Sequence, residues 1–139
     1  MHNPFQSIDR IVARAFTSLP AKFRRKRRTA WSDPNRQGAA VDSFLEGPEF
    51  DRKGNLYCVD IPFGRIFRVD PRGEWELVVQ YDGWPNGLKI HRDGRLFVCD
   101  YKRGLMMKVC GARWCDSSAC ARSDGRTRPP CSRASTCSC

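Results

Sequence analysis

The feature that most constrains this chain is an internal repeat of about 40 residues within the segment from Glu46 to Val109. Sliding the sequence by 40 residues places Gly54 on Gly94 and Asp60 on Asp100. In each copy, short runs of apolar, strand-forming residues alternate with turns that contain glycine. A repeat of this length and content is typical of a four-stranded propeller blade. We therefore predict an all-β fold, an incomplete β-propeller of about two four-stranded antiparallel blades.

The two copies of the repeat differ in completeness. The first reads as four strands separated by turns, whereas the second reads as three, at residues 86–91, 95–100 and 105–109, and no fourth strand is recognisable after them. A propeller ring needs about four to eight blades. A chain of 139 residues is therefore expected to form an open fragment, whose unpaired sheet edges favour self-association.

A basic extension, residues 1–43, precedes the blades at 44–109. Residues 1–45 carry nine Lys and Arg against three acids, and the apolar spacing between Ser7 and Leu19 predicts one short helix. The run Lys22–Arg28 is interpreted as a solvated basic linker. The alternatives are contact with nucleic-acid phosphates, contact with an anionic membrane surface, or a nuclear signal. Nothing nearby would read bases, so we do not expect a nucleic acid as partner.

Residues 110–139 differ from the rest of the chain in composition. They contain six of the eight cysteines and no Leu, Ile, Val, Phe, Met or Tyr. Such a segment cannot bury enough apolar surface to offset the entropy of ordering, and its cysteine spacing fits no zinc pattern. We predict a disordered Cys-, Arg- and Ser-rich tail, whose composition resembles translation of a shifted reading frame.

The other two cysteines, Cys58 and Cys99, lie in apolar strands, where a free thiol usually behaves as a small buried hydrophobic group. No signal peptide is recognisable, and no apolar run approaches the roughly 18 residues of a membrane span. These features predict a cytoplasmic protein without a membrane span.

Several motifs of the repeat resemble one known family. Residues 46–48 read Glu-Gly-Pro and are followed by Asp-x-x-Gly-Asn-Leu-Tyr, and residues 85–88 read Pro-Asn-Gly-Leu and are followed by Asp-Gly-Arg-Leu. These motifs look like the N-terminal blades of the senescence-marker-protein, gluconolactonase and luciferin-regenerating-enzyme family. The resemblance covers about residues 46–109. It implies a six-bladed propeller that binds one divalent metal in a central channel and hydrolyses sugar or related lactones.

Under this resemblance, Glu46 matches the family's metal-binding glutamate and Asn86 an asparagine that reaches the metal or the substrate. Taken singly, Glu46 would be a surface carboxylate and Asn86 a turn residue. They occupy the same position in successive copies, however, and equivalent positions of a propeller converge on its axis. Oxygen ligands of this kind suit Ca²⁺ best, with Zn²⁺, Mg²⁺ or Mn²⁺ as alternatives. No catalytic residue is assigned.

Four nearby residues are interpreted as structural. Asp60 and Asp100 each follow a strand and are expected to cap turns, and Trp84 and Tyr101 are expected to pack rather than to border the channel.

The resulting hypothesis is a fragment of a metal-dependent lactonase, a hydrolase with a small-molecule lactone as substrate. We expect it to be inactive, because the remaining metal ligands belong to blades that the repeat does not include. The alternatives are a non-enzymatic propeller-type binding module, a strictosidine-synthase-like propeller protein, and a product without a function.

Overall fold

The computed structural model describes residues 11–109 and 113–116, and most of its regular structure is antiparallel β-sheet. The first sheet has the strand order β1-β2-β3-β4 and the second the order β5-β6-β7-β8. These two successive meanders confirm the all-β, incomplete-propeller fold that the repeat predicts. The strands are β1 Leu45–Phe50, β2 Leu56–Asp60, β3 Arg65–Val69, β4 Trp75–Gln80, β5 Pro85–Ile90, β6 Leu96–Asp100, β7 Gly104–Val109 and β8 Arg113–Asp116.

Tight hairpin turns join the first two strands of each sheet. Gly54 and Gly94 have φ angles of 78° and 88°, a left-handed conformation that glycine adopts without steric cost. In the first turn, the Asp51 carboxylate accepts hydrogen bonds from the backbone N–H groups of Lys53 and Asn55 at 2.8 and 2.9 Å. Both turns lie where the sequence predicts them, and they fix the register of the strands that they join.

The two sheets pack face to face around one apolar core. Val59 and Ile66 of the first sheet have no exposed surface and share this core with Val98 of the second sheet. Side chains alternate between the two faces of a strand. Cys58 and Phe67 therefore lie on the opposite face of the first sheet, away from the second sheet.

The basic extension covers this opposite face. Leu19 and Phe23 pack on Cys58 and Phe67, and the ring centroids of Phe23 and Phe67 are 5.0 Å apart. The first sheet is thus buried on both sides, between the extension and the second sheet.

The extension contains one short α-helix, as predicted, but not at the predicted position. Residues 11–20 form no helix, although they include most of the segment predicted to be helical. The extension contains instead a 3-10 turn at Ala21–Phe23 and the short helix α1, Ser32–Asn35. Ile11 and Val12 are 92% and 81% exposed, so a helix here would have no surface against which to bury its apolar side. Within the described residues, no helix is long and apolar enough to cross a bilayer.

The second sheet has a fourth strand, contrary to the prediction that its copy of the repeat stops after three. β8 pairs antiparallel with β7, from Val109 opposite Arg113 to Met106 opposite Asp116. Pairing uses backbone groups that every residue type other than proline supplies, so a segment without an apolar strand pattern can complete the sheet. The rest of the tail predicted to be disordered lies outside the described residues.

The two copies are offset by 40 residues in their first two strands but by 39 in their third. Asp60 pairs with Arg65, whereas Asp100 pairs with Gly104. The structural equivalent of Ile66 is therefore Leu105, and an alignment with a constant offset misplaces the third strand by one residue.

Candidate functional site

Glu46 and Asn86, the predicted channel residues, lie near the starts of β1 and β5, and these two strands pack against each other. Gly47 allows β1 and β5 to approach each other closely. A Cβ atom at this position would lie 3.0 Å from both the Asn86 carbonyl oxygen and the Leu88 nitrogen, and Gly47 has a φ of 57°. A larger residue would therefore push β1 away from β5.

Both strands are irregular at this point. The register of β1 against β2 shifts between Glu46 and Glu49, and that of β5 against β6 shifts between Pro85 and Gly87. An extra residue of this kind bends a strand and re-aims its side chains. The same register shift is present in both copies, and it sets the direction in which the side chains of Glu46 and Asn86 point.

Glu46 and Asn86 line one cavity of about 330 Å³, a volume at the lower end of the range for small-molecule sites. The structure therefore brings together the two residues that the repeat predicts to converge. Most of the remaining wall is aromatic or apolar. The lining consists of Trp31, Asn35, Phe44, Glu46, Ile61, Trp84, Asn86 and Tyr101.

Of the two predicted residues in this cavity, Glu46 is exposed to solvent and Asn86 is half-buried. Among the described residues, neither the Glu46 carboxylate nor the Asn86 side-chain amide has a hydrogen-bond or ion-pair partner. Glu49, the next carboxylate along β1, lies outside the cavity lining. It forms an ion pair with Lys89, with 2.6 Å between Glu49 Oε2 and Lys89 Nζ. The lining itself thus offers one unpaired carboxylate beside neutral amides, while Arg36 and Lys102 lie over two of its aromatic rings.

A buried aspartate anchors the beginning of β1. Asp60 has no exposed surface, and its carboxylate accepts hydrogen bonds from the Phe44 N–H and the Arg65 Nε, both at 2.7 Å. Burial raises the pKa of Asp60, while these hydrogen bonds act in the opposite direction. Because Phe44 directly precedes β1, Asp60 helps to hold the strand that carries Glu46.

Asp100, the equivalent residue of the second sheet, makes different bonds. It accepts hydrogen bonds from the backbone N–H groups of Lys102 and Arg103 at 2.7 and 3.0 Å and from the Tyr81 hydroxyl at 2.8 Å. Burial, and then the hydrogen bond to Asp100, raise the pKa of Tyr81. Asp100 therefore caps a turn as predicted, whereas Asp60 holds Phe44 and Arg65 instead.

Two predictions of burial on the second sheet are wrong. Cys99 is exposed, and Tyr101 is 73% exposed at the border of the cavity rather than packed. Both residues also line an open groove of about 440 Å³ with Asn86, Gly87 and others. No element within the described residues covers this face, so an apolar strand pattern alone does not ensure burial.

Of the lining residues that sequence reasoning missed, Trp31 and Asn35 come from the basic extension. Trp31 is 7% exposed, and its ring centroid lies 5.0 Å from that of Phe44. Trp31 is a single tryptophan between a basic run and a polar loop, and such a residue indicates that the segment is anchored to the fold. The sequence does not indicate which residues it contacts.

Part of the basic run contacts other residues, some within the extension and one, Phe63, in the first blade. Arg24 pairs with Asp42 at 2.8 Å and Arg28 with Asp33 at 2.5 Å, and the Arg27 guanidinium lies 5.2 Å from the centre of a phenylalanine ring. These three side chains therefore make contacts in the folded chain, although the run is predicted to be a solvated linker.

The part of the chain that the structure describes contains no group of three or more His, Cys, Asp or Glu side chains that could hold a metal ion. The cavity offers instead one carboxylate, that of Glu46, together with the amide oxygens of Asn35 and Asn86.

The chain is similar to curated lactonases over part of its length. It is 46% identical over 57 residues to Lactonase drp35 of Staphylococcus aureus strain bovine RF122 / ET3-1. It is 45% identical over 58 residues to Lactonase drp35 of strain USA300, and 40% identical over 58 residues to Lactonase drp35 of Staphylococcus epidermidis strain ATCC 35984. Each match covers 40% of this chain but 18% of the relative, so the chain matches less than a fifth of these lactonases. No protein-family model matches the chain. These matches support a lactonase-like relationship.

Proposed function

We propose that this chain is part of a metal-dependent lactonase of the senescence-marker-protein, gluconolactonase and luciferin-regenerating-enzyme family. In this proposal Glu46 binds the metal, and Asn86 binds the metal or the lactone. The observation that carries it is the shared cavity, in which both side chains lack a described partner. The partial similarity to Lactonase drp35 supports the class of substrate.

The donor atoms of the cavity fit a hard divalent cation. Carboxylate and amide oxygens are the preferred ligands of Ca²⁺, and they also suit Mg²⁺ and Mn²⁺, whereas Zn²⁺ favours Cys and His side chains. The described lining contains neither Cys nor His, so Ca²⁺ is our first choice. A metal bound here would polarise a lactone carbonyl and lower the pKa of a bound water.

The remaining lining residues are suited to position a small cyclic substrate. Trp31, Phe44 and Trp84 give the cavity aromatic walls that can pack on the C–H groups of a lactone ring and exclude water from it. The Asn86 amide can both donate and accept a hydrogen bond, which would orient a ring oxygen or hydroxyl. Behind the wall, Asp60 holds the Phe44 backbone in place.

We expect weak metal binding and little hydrolysis from the chain alone. A Ca²⁺ site usually has six to eight oxygen ligands, and its affinity rises with the number of charged ligands. The described cavity supplies one carboxylate, so further protein ligands would be needed for tight binding.

The test compares Glu46→Gln with Glu49→Gln in the full chain. Both variants remove one carboxylate from β1, but Glu46 lines the cavity and Glu49 pairs with Lys89 outside it. Ca²⁺ binding by calorimetry and Ca²⁺-dependent hydrolysis of a sugar lactone are measured for each. We expect Glu46→Gln to abolish Ca²⁺ binding, and with it any hydrolysis that the unmodified chain shows, and Glu49→Gln to retain the Ca²⁺ binding of the unmodified chain.

The outcomes separate the function classes. Lactone binding that needs no divalent metal and is unchanged in Glu46→Gln would favour a binding module. Equal Ca²⁺ binding in the unmodified chain and in Glu46→Gln would contradict the assignment of Glu46 to the metal.

A further inference from the structure

Besides Glu46 and Asn86, one further residue with an amide or carboxyl side chain lines the cavity. This residue, Asn35, comes from the basic extension. It is the last residue of α1, and it lines the same cavity of about 330 Å³ as Glu46 and Asn86. A segment outside the repeat thus adds a polar side chain to a cavity that the repeat builds.

One hydrogen bond fixes the orientation of the Asn35 amide. Its Nδ2 donates to the Trp31 carbonyl oxygen at 2.8 Å. A carbonyl oxygen can only accept, so nitrogen must occupy this end of the amide and Oδ1 the other end. No described residue donates a hydrogen bond to Oδ1. The oxygen is therefore available to a ligand.

The turn that carries Asn35 is held in place before any ligand binds. Trp31 is buried and packs on Phe44. Ser32 has no exposed surface, and its hydroxyl both donates to the Thr29 carbonyl and accepts from the Thr29 N–H, each at 2.9 Å. Little ordering of the turn is then required on binding, which reduces the entropic cost.

We propose that Asn35 Oδ1 is an oxygen ligand of a divalent cation that Glu46 and Asn86 also bind. The inference rests on the proposed function, because it assigns a further ligand to the same metal. Asparagine amide oxygens are common Ca²⁺ ligands, and three side chains from three separate segments leave coordination positions for water and substrate. With a single carboxylate, the dissociation constant should be on the order of 10⁻⁴–10⁻³ M, the weak end of known Ca²⁺ sites.

The extension then has two roles. Leu19 and Phe23 cover the outer face of the first sheet, and the following turn supplies a ligand to the cavity. The metal site would therefore depend on a segment that the 40-residue repeat does not contain.

The experiment measures Mn²⁺ binding to the full chain from the electron paramagnetic resonance signal of free Mn²⁺, with Ca²⁺ as competitor. Asn35→Ala should weaken Mn²⁺ binding about fivefold or more, because it removes a ligand. Asn35→Asp retains an oxygen and adds a charge, so binding should be equal or tighter. Asn55→Ala is the control: its Nδ2 also makes one hydrogen bond, to Asp51 at 2.7 Å, in a hairpin turn outside the cavity lining.

A purely structural role of Asn35 gives a different pattern. Asn35→Ala and Asn35→Asp both lose the hydrogen bond to Trp31, so they would then weaken binding equally. That result overturns the proposal, as does unchanged affinity in Asn35→Ala or no Mn²⁺ binding by the folded chain at about 10 mM, well above the expected dissociation constant.

The same titrations distinguish this inference from the proposed function. If Glu46→Gln abolishes Mn²⁺ binding while the Asn35 variants leave it unchanged, the metal assignment of Glu46 holds and the role of Asn35 is overturned. If both sets of variants change Mn²⁺ binding but the unmodified chain neither binds nor hydrolyses a lactone, Asn35 is supported as a ligand and the assignment of a lactone as substrate is not.

Discussion

The two sheets are copies of one sequence unit, yet they differ in how many of their faces are covered. Val59 and Ile66 of the first sheet have no exposed surface. Their structural equivalents in the second sheet are Cys99, which is exposed, and Leu105, which is 45% exposed. Equivalent strand positions thus range from complete burial to open surface.

The difference shows that burial in a repeat is decided by the neighbour of each unit. The first sheet lies between the extension and the second sheet, whereas the second has one packed neighbour within the described residues. In repeat architectures each unit buries a face against the next. The open face of the second sheet is therefore the surface on which a further blade, or another copy of the chain, would pack.

The two buried aspartates should give the largest contrast between the sheets. Asp60→Ala leaves the Arg65 guanidinium, which is 5% exposed, without its carboxylate. We expect a loss of about 3–5 kcal/mol in the free energy of unfolding. Asp100→Ala removes the carboxylate that accepts hydrogen bonds from two backbone N–H groups and from the Tyr81 hydroxyl, at a cost of about 1–3 kcal/mol.

Urea denaturation followed by circular dichroism measures both losses. A retained near-ultraviolet spectrum for each variant is the control that the native sheets still form. If Asp100→Ala were the more destabilising variant, the ion pair between Asp60 and Arg65 would not be the stronger anchor that its burial indicates.

The covered and open faces can be compared directly at Ile66 and Leu105. Ile66→Ala creates a cavity between the sheets and should lower the free energy of unfolding by about 2–5 kcal/mol. Leu105→Ala removes a side chain that is already half exposed, at a cost of about 1 kcal/mol or less. Equal losses in urea denaturation would mean that the open face is covered in solution. Sedimentation of the unmodified chain would then show whether self-association provides the cover.

The local features of the fold could be predicted from the sequence because they depend on neighbouring residues. Gly54 and Gly94 specify their turns by backbone conformation, and the 40-residue period specifies the succession of blades. The convergence of Glu46 and Asn86 on one cavity also follows from the period, since it is a property of equivalent positions.

The errors concern contacts between segments that are distant along the chain. The apolar spacing near Leu19 predicts a helix, but Leu19 packs on the first sheet from a non-helical segment. Cys99 has the sequence context of a buried residue and lacks the neighbour that would bury it. Asn35 reaches the cavity because Trp31 anchors its turn, and no periodic pattern reports such a contact.

The free thiols offer a smaller, chemical comparison of the two sheets. Burial raises the pKa of Cys58 to about 12, and only the thiolate reacts rapidly with alkylating reagents. At about pH 8, Cys58 should be modified by iodoacetamide at least about tenfold more slowly than the exposed Cys99. Mass spectrometry of digested peptides separates these two residues from the cysteines after Val109. Unfolding in urea is the control, since it should make the rates similar. Equal rates in the native protein would contradict the burial of Cys58 beneath the extension.

The smallest expected effect concerns acid and the first hairpin turn of each sheet. Burial raises the pKa of Asp51, but hydrogen bonds led by that from Asn55 outweigh it, and the net pKa is lowered. In the second sheet, hydrogen bonds from Arg95 and then His91 hold the pKa of Asp93 far below its ordinary value of 3.8. Both carboxylates are therefore more acidic in the folded chain than in the unfolded chain.

A carboxylate with a lowered pKa in the folded state contributes stability above its unfolded pKa and loses it as the pH falls through the folded pKa. The contributions of Asp51 and Asp93 should thus be complete near about pH 5 and should decline below about pH 4. Asp93→Asn should flatten the decline of the urea midpoint between about pH 5 and pH 2 more than Asp51→Asn, because the pKa of Asp93 is shifted further. The effect should be small and should shrink in about 1 M salt, since Asp93 is exposed to solvent and its interactions are screened. The opposite result is a larger flattening of the urea midpoint's decline in Asp51→Asn than in Asp93→Asn. It would show that the acid sensitivity of the turns comes mainly from Asp51, the partly buried carboxylate of the covered sheet, and not from the exposed Asp93 of the open sheet.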